Sequence, residues 1–238
     1  MNICAHQLGF RALNEKIRNT DGDIVIEQCY GERFIGAGAS SKTITIFGTP
    51  GNALGAYLDG ATIIVNGNAQ DAVGDTMNDG RIIIRGNAGD ALGYAMRGGK
   101  ILVRGNSGYR TGIHMKEYQD KKPVIVVGGR TGSFLGEYLA GGLIIVLGLE
   151  SDDCPVGNFT GTGMHGGEIF IRSCLMPRNL PKQVCAGPAE DADMERIKDI
   201  LAEFSETFGI PMDVILSRPF HRLTPNARNP YKQLYTNN

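Results

Sequence analysis

A glycine-marked repeat of 19 residues recurs between residues 48 and 172. Three copies follow without a change of length, opening at Gly67-Asn68-Ala69, Gly86-Asn87-Ala88 and Gly105-Asn106-Ser107. Aligned on a Leu/Met position, Leu58, Met77, Met96, Met115, Leu139 and Met164 share a column. Gly55, Gly74, Gly93, Gly112, Gly136 and Gly161 stand three residues before it. Ile63, Ile82, Ile101, Ile144 and Ile169 stand five residues after it. A self-similar period of this length points to stacked units, and that limits both architecture and function.

The β-branched runs predict strands at Asp23–Glu27, Thr43–Phe47, Thr62–Asn66, Arg81–Arg85, Lys100–Arg104, Pro123–Val127, Leu143–Leu147 and Glu168–Arg172. Nineteen residues are too few for a strand, a packed helix and two loops. They suit one coil of a solenoid, with short strands and tight turns at positive-φ glycines. One coil cannot bury its own apolar residues, so neighbours must stack. The expectation is an all-β, single-stranded parallel β-helix of about eight coils, right-handed as nearly all parallel crossovers are. Stacking at roughly 4.8 Å gives a prism about 35–40 Å long. Asn68, Asn87 and Asn106 would form a ladder, amide bonded to amide. A dinucleotide fingerprint is excluded around Gly36-Ala37-Gly38, because the chain continues into another strand instead of opening a helix.

Both ends of a solenoid need covers. Residues 1–20 form the expected N-terminal cap, with Leu8, Leu13 and Ile17 as a weak helical pattern. Residues 21–175 form the β-helix, and residues 176–238 a C-terminal helix and an extended arm. That helix is expected to open at Pro188, with Met194, Ile197, Leu201, Phe204 and Phe208 on one face. Acids at 190, 191 and 193 suit its N-terminus, and Gly209 its C-cap. From Ile210 onward, prolines and interleaved aromatic and basic residues predict an arm that folds back on the solenoid or wraps a partner.

Three coils are expected to be interrupted. Lys116–Lys122 holds four extra residues before Val124; one more lies near Gly128-Gly129-Arg130; six lie between Gly148 and Gly161. Insertions in consecutive coils often share a binding face.

A net charge of −1 argues against a nucleic-acid footprint. Arg81, Arg85, Arg97, Lys100 and Arg104 read as a solvated face preferring an acidic neighbour. The absence of a long apolar run or leader pattern predicts no membrane association and a cytoplasmic protein. Five scattered cysteines, Cys4, Cys29, Cys154, Cys174 and Cys185, fit reduced thiols and offer no cluster ligation. His114 and His165 flank the Met column on opposite sides, so they read as ordinary histidines rather than a paired site. Asp71 and Asp90 share a corner column and read as caps on turn amides, not as a carboxylate pair for glycoside chemistry. No catalytic, cofactor-binding or metal-ligating residue is assigned.

The units Gly-Asn-Ala-x-Asp-Ala-x-Gly at 67–74 and 86–93, with Met96-Arg97-Gly98-Gly99-Lys100-Ile101-Leu102-Val103, resemble the GXGXG domain. That domain is the C-terminal β-helix of the glutamate synthase large subunit, shared with the β-helical subunit of formylmethanofuran dehydrogenase. Gly112-Ile113-His114-Met115-Lys116-Glu117-Tyr118 and Phe134-Leu135-Gly136-Glu137-Tyr138 resemble the stand-alone form found where glutamate synthase is split into separate chains. The resemblance implies a scaffold without chemistry of its own. FMN and an iron–sulfur cluster would sit on partner chains, a flavin/iron–sulfur synthase subunit beside an amidotransferase subunit. Self-association is a further expectation. The alternatives are the β-helical subunit of a formylmethanofuran dehydrogenase or formyltransferase/hydrolase complex, and a β-helix acting on or binding carbohydrate.

Overall fold

The computed structural model describes residues 1–226, and they form one 11-stranded sheet with helices laid on it and at its start. Strand β1 (Asn2–Cys4) pairs parallel with β2 (Ile24–Tyr30). Then come β3 (Thr43–Thr49), β4 (Asp59–Asn66), β5 (Asp79–Ile84), β6 (Lys100–Val103), β7 (Val124–Val127), β8 (Ala140–Val146) and β9 (Gly166–Arg172). Each pairs parallel with the next, so every coil contributes one strand to a single wall of the solenoid. The isoleucine column runs unbroken through Ile44, Ile63, Ile82, Ile101, Ile125, Ile144 and Ile169, all fully buried inside the coil.

One register differs from expectation. Ile101 pairs with Ile125, not Val124, so ten positions rather than five separate Met115 from its isoleucine. All five extra residues lie in the 116–122 insertion, and the following coil has the regular 19. Two coils are interrupted, not three. The run Val124-Ile125-Val126-Val127 is buried on both faces, so no polar alternation marks which side chains point inward. Ile125 and Val127 face the solenoid core, while Val124 and Val126 join a second core outside the wall.

That second core is sealed by the C-terminal region. Helix α1 (Phe10–Arg18) covers the first coil with Leu13 and Ile17, and Lys42 Nζ caps its C-terminus by donating to Ile17 O and Thr20 O at 3.1 and 2.6 Å. After β9 come β10 (Val184–Pro188), helix α2 (Asp191–Phe208), helix α3 (Met212–Leu216) and β11 (Phe220–Pro225). Ile197, Leu201 and Phe204 of α2 lie on Leu102, Val126, Ile145 and Phe170 of the wall. The helix opens at Asp191 rather than Pro188, because Pro188 ends a strand. Glu190 and Asp193 make a reciprocal capping box, and Gly209 ends the helix in the left-handed region at φ 65°.

The expected extended arm is structured at its start. Strand β11 turns back antiparallel onto β9, and β10 pairs antiparallel outside it, which closes the parallel wall at that end. Of the two readings of the arm, folding back holds for residues 212–226. Its aromatic-basic remainder, including Tyr231, Lys232, Leu234 and Tyr235, lies outside the described residues. Arg172 pins the return: its buried guanidinium donates to Leu147 O, Ile215 O, Val214 O and Ser217 Oγ.

Candidate functional site

The long face opposite in character to the sealed wall is a side made of turns. Along each coil three positions alternate in the left-handed region. The first column holds Phe34, Ala53, Ala72, Ala91, Arg110, Phe134 and Phe159, at φ 55–62°. The second is the glycine column, Gly36, Gly55, Gly74, Gly93, Gly112, Gly136 and Gly161. The third holds Gly38, Tyr57, Thr76, Ala95, His114, Tyr138 and Gly163.

Glycine is therefore not what positive φ alone demands here. A Cβ at Gly93 would stand 2.4 Å from Cδ1 of Ile125, and one at Gly74 2.5 Å from Cδ1 of Ile101. The glycine column faces inward, where the isoleucine of the following coil takes the space. The flanking columns, buried at Ala53 and Thr76 and partly or fully exposed elsewhere, carry side chains despite the left-handed strain, about 1–2 kcal/mol for each non-glycine residue.

The outward columns stack rings along the axis. His114 lies flat on Tyr138, with centroids 5.0 Å apart and planes 7° from parallel. Tyr94 meets the other side of His114 edge-on at 5.9 Å. Phe134 stacks on Phe159 at 5.2 Å, and the Arg110 guanidinium lies over the Phe134 ring at 5.2 Å. Arg110 is held by Glu137, Nε to Oε2 3.0 Å. Rings stacked face to face turn their edges outward, so the His114–Tyr138 pair offers little flat platform to a sugar.

The corner columns work between coils. Oδ1 of Asn68, Asn87 and Asn106 accepts the backbone N–H of Asn87, Asn106 and Arg130 at 2.7–2.8 Å. The ladder is thus mainly side chain to backbone; an amide-to-amide bond joins Asn87 to Asn68 at 3.3 Å. Asp71 and Asp90 act likewise on the N–H groups of Asp90 and Tyr109, at 2.9 and 2.8 Å. They cap amides, as expected, but those of the next coil. His114 and His165 have separate partners: His165 Nδ1 lies 3.0 Å from Gly163 O, while His114 stacks on tyrosines.

Two ionic clusters hold the C-terminal cover. Glu203 of α2 meets Arg81 at 3.0 Å and Lys100 at 2.6 Å, so the acidic neighbour of the basic strip is the chain's own helix. Glu168 of β9 binds Arg196 of α2 at 2.7 Å and also Arg222 of β11. Burial pushes the Glu168 carboxyl up, but the hydrogen bonds and charges of Arg196 and Arg222 outweigh it and hold it below its ordinary value. Asp193, hydrogen-bonded to Arg196 and to the Glu190 backbone, is also held low. Burial pushes the Cys29 thiol up to about 12, which makes it unreactive. Cys174 and Cys185 are exposed free thiols. Among the described residues no group of three His, Cys, Asp or Glu is placed to hold a metal ion. Sequence reasoning did not find the ring columns, because Tyr, His, Phe and Arg share neither hydropathy nor charge; the signal was their place two residues before or after the column glycines.

Fold and surface together define a stacked-coil β-solenoid with one sealed face and one bare, ring-lined face. The chain belongs to the GXGXG motif family, which it matches over residues 9–226. It is 44% identical, over 98% of its length and 95% of the relative's, to the uncharacterized protein MJ1350 of Methanocaldococcus jannaschii. Its fold is similar to that of a chain in the formyltransferase/hydrolase complex FhcABCD of Methylorubrum extorquens, solved with methylofuran. The TM-score is 0.63 at 24% identity, covering 84% of this chain and 72% of the other. Among the described residues no helix is long and apolar enough to cross a membrane.

Proposed function

We propose that this chain is a non-catalytic structural subunit of a multisubunit complex of the formyltransferase/hydrolase kind. The observation that carries the reading is the shared solenoid: 84% of this chain superposes on a chain of FhcABCD. The side chains support a structural role. The charged clusters are spent on holding α2 to β5, β6 and β9, and β9 to β11. The corner carboxylates and amides bind backbone.

A second reading is the scaffold of a split glutamate synthase. The stretches at 112–118 and 134–138, which resemble the stand-alone form found where glutamate synthase is split, favour it. There, flavin and iron–sulfur chemistry and glutamine hydrolysis would belong to partner chains.

Purifying the tagged full-length chain from its native cells separates the two. A stoichiometric partner with formyl-transfer or formyl-hydrolysing activity supports the first reading. A yellow-brown partner carrying flavin and iron–sulfur absorbance, with glutaminase activity in the complex, replaces it with the second. A chain recovered alone and monomeric overturns both.

A further inference from the structure

We infer that the bare turn face is the docking surface for a partner subunit, and that the partner meets it with basic side chains around an apolar centre. This rests on the structural-subunit reading. The sheet wall is closed over β6–β9 by α2, the first coil by α1, and the last by β11 and β10. The turn face has no such cover among the described residues. It concentrates exposed rings: Tyr57, Tyr94, Tyr109 and Phe159 are 58, 40, 54 and 50% exposed. Between these rings lie small residues, Ala72, Ala91 and Ala95, so the surface is flat enough for a rigid partner. Aromatic residues held in place by stacking lose little further freedom on binding, and such rings dominate protein interfaces.

Charge selects the kind of partner. Asp71, Asp75, Asp90 and Glu137 share these columns with two cations, Arg33 and Arg110. Arg110 is already bound to Glu137. Asp71 and Asp90 accept single backbone N–H groups and form no ion pair among the described residues. The face is therefore apolar and acidic, while Arg85, Arg97 and Arg104 lie on other columns of the repeat. An acidic, ring-lined face repels a second copy of itself and attracts a basic surface.

The test uses the full chain in native cells, with p-benzoylphenylalanine placed at Tyr94, at Phe159, or at Glu195 on the exposed side of α2. Complexes are purified, irradiated and mapped by mass spectrometry. The expected result is crosslinking from 94 and 159 into lysine- and arginine-rich segments of a co-purifying subunit, and none from 195. Asp75→Lys should weaken the complex about tenfold in Kd, and Arg85→Glu should leave it unchanged. A co-purifying subunit that crosslinks only from 195 overturns the surface and leaves the structural-subunit reading standing. So does a subunit reached from none of the three positions. Crosslinks from 94 into a second copy of this chain overturn the basic partner. If the wild-type chain brings down no subunit, the structural-subunit reading and this surface fail together.

Discussion

The two long faces of the solenoid are built from the same coils and end in opposite states. On the sheet face, strands direct alternate side chains inward and outward, and in the C-terminal half both sets are apolar. The outward set would be insoluble if bare, and α2 buries it. On the turn face, the glycine column, the Leu/Met column and the column of Ile35, Leu54, Val73, Leu92 and Leu135 are buried; the flanking left-handed columns hold the exposed rings of Phe34, Tyr57 and Phe159. One face spends its exposed apolar residues on the chain's own helix. The other keeps its rings exposed.

The largest effect should come from breaking the sealed face. Phe204 is fully buried between α2 and the wall and touches Phe208 at 4.8 Å between centroids. Phe204→Ala is expected to cost about 3–5 kcal/mol. Denaturant unfolding checks it. A loss under about 1 kcal/mol would mean that α2 contributes little to closing the wall.

The inner wall of the turn face gives the next effect. Gly93→Ala adds left-handed strain of about 1–2 kcal/mol and overpacking against Ile125 of about 1–3 kcal/mol, for a total of about 2–5 kcal/mol. Thermal melts should register it as a clear drop. An unchanged melt would show that Ile125 yields its place to the new methyl freely.

How much of this was legible follows from what each face depends on. The inward columns were readable, because burial fixes residue type: Ile at one offset, Leu or Met at another, Gly where a Cβ has no room. The register at Val124–Val127 was not, since a strand buried on both faces has no polar partner to mark its phase. The return of β11 was hidden by Pro219, Arg222 and Pro225, which read as an arm until Phe220 and Leu223 are seen to be buried in the two cores. The ring columns were spelled in the sequence but carried no hydropathy signal. The assignment of positive φ to glycine alone was incomplete, because strain of that size is tolerated wherever the side chain has open space.

The latch between α2, β9 and β11 should respond to pH. Glu168 and Asp193 have carboxyls held below their ordinary values, so the unfolded chain binds more protons than the folded one as pH falls past about 4–4.5. Their contribution is full above that range and is lost as pH drops through the lowered folded values. Glu168→Gln should remove about 1–2 kcal/mol at pH 7 and flatten the decline in stability between about pH 5 and 3, relative to wild type. Equal pH slopes in the two proteins would show that the latch does not set acid sensitivity.

The smallest effect tests the outward column directly. Ala91 has φ 55°, two residues before Gly93, yet it is partly exposed and lies outside the core cluster. Ala91→Gly relieves left-handed strain of about 1–2 kcal/mol and adds unfolded-state entropy of about 0.5–1 kcal/mol, so the net change should be stabilising by about 0–1.5 kcal/mol. The sign is the informative part. Set beside Gly93→Ala, it separates backbone strain from space, since the two positions share the left-handed region and differ in what lies beyond Cβ. A destabilisation above about 1 kcal/mol in Ala91→Gly would mean that the alanine methyl is held by a contact on the bare face, and the division into an inward column limited by space and an outward one limited by strain would not stand.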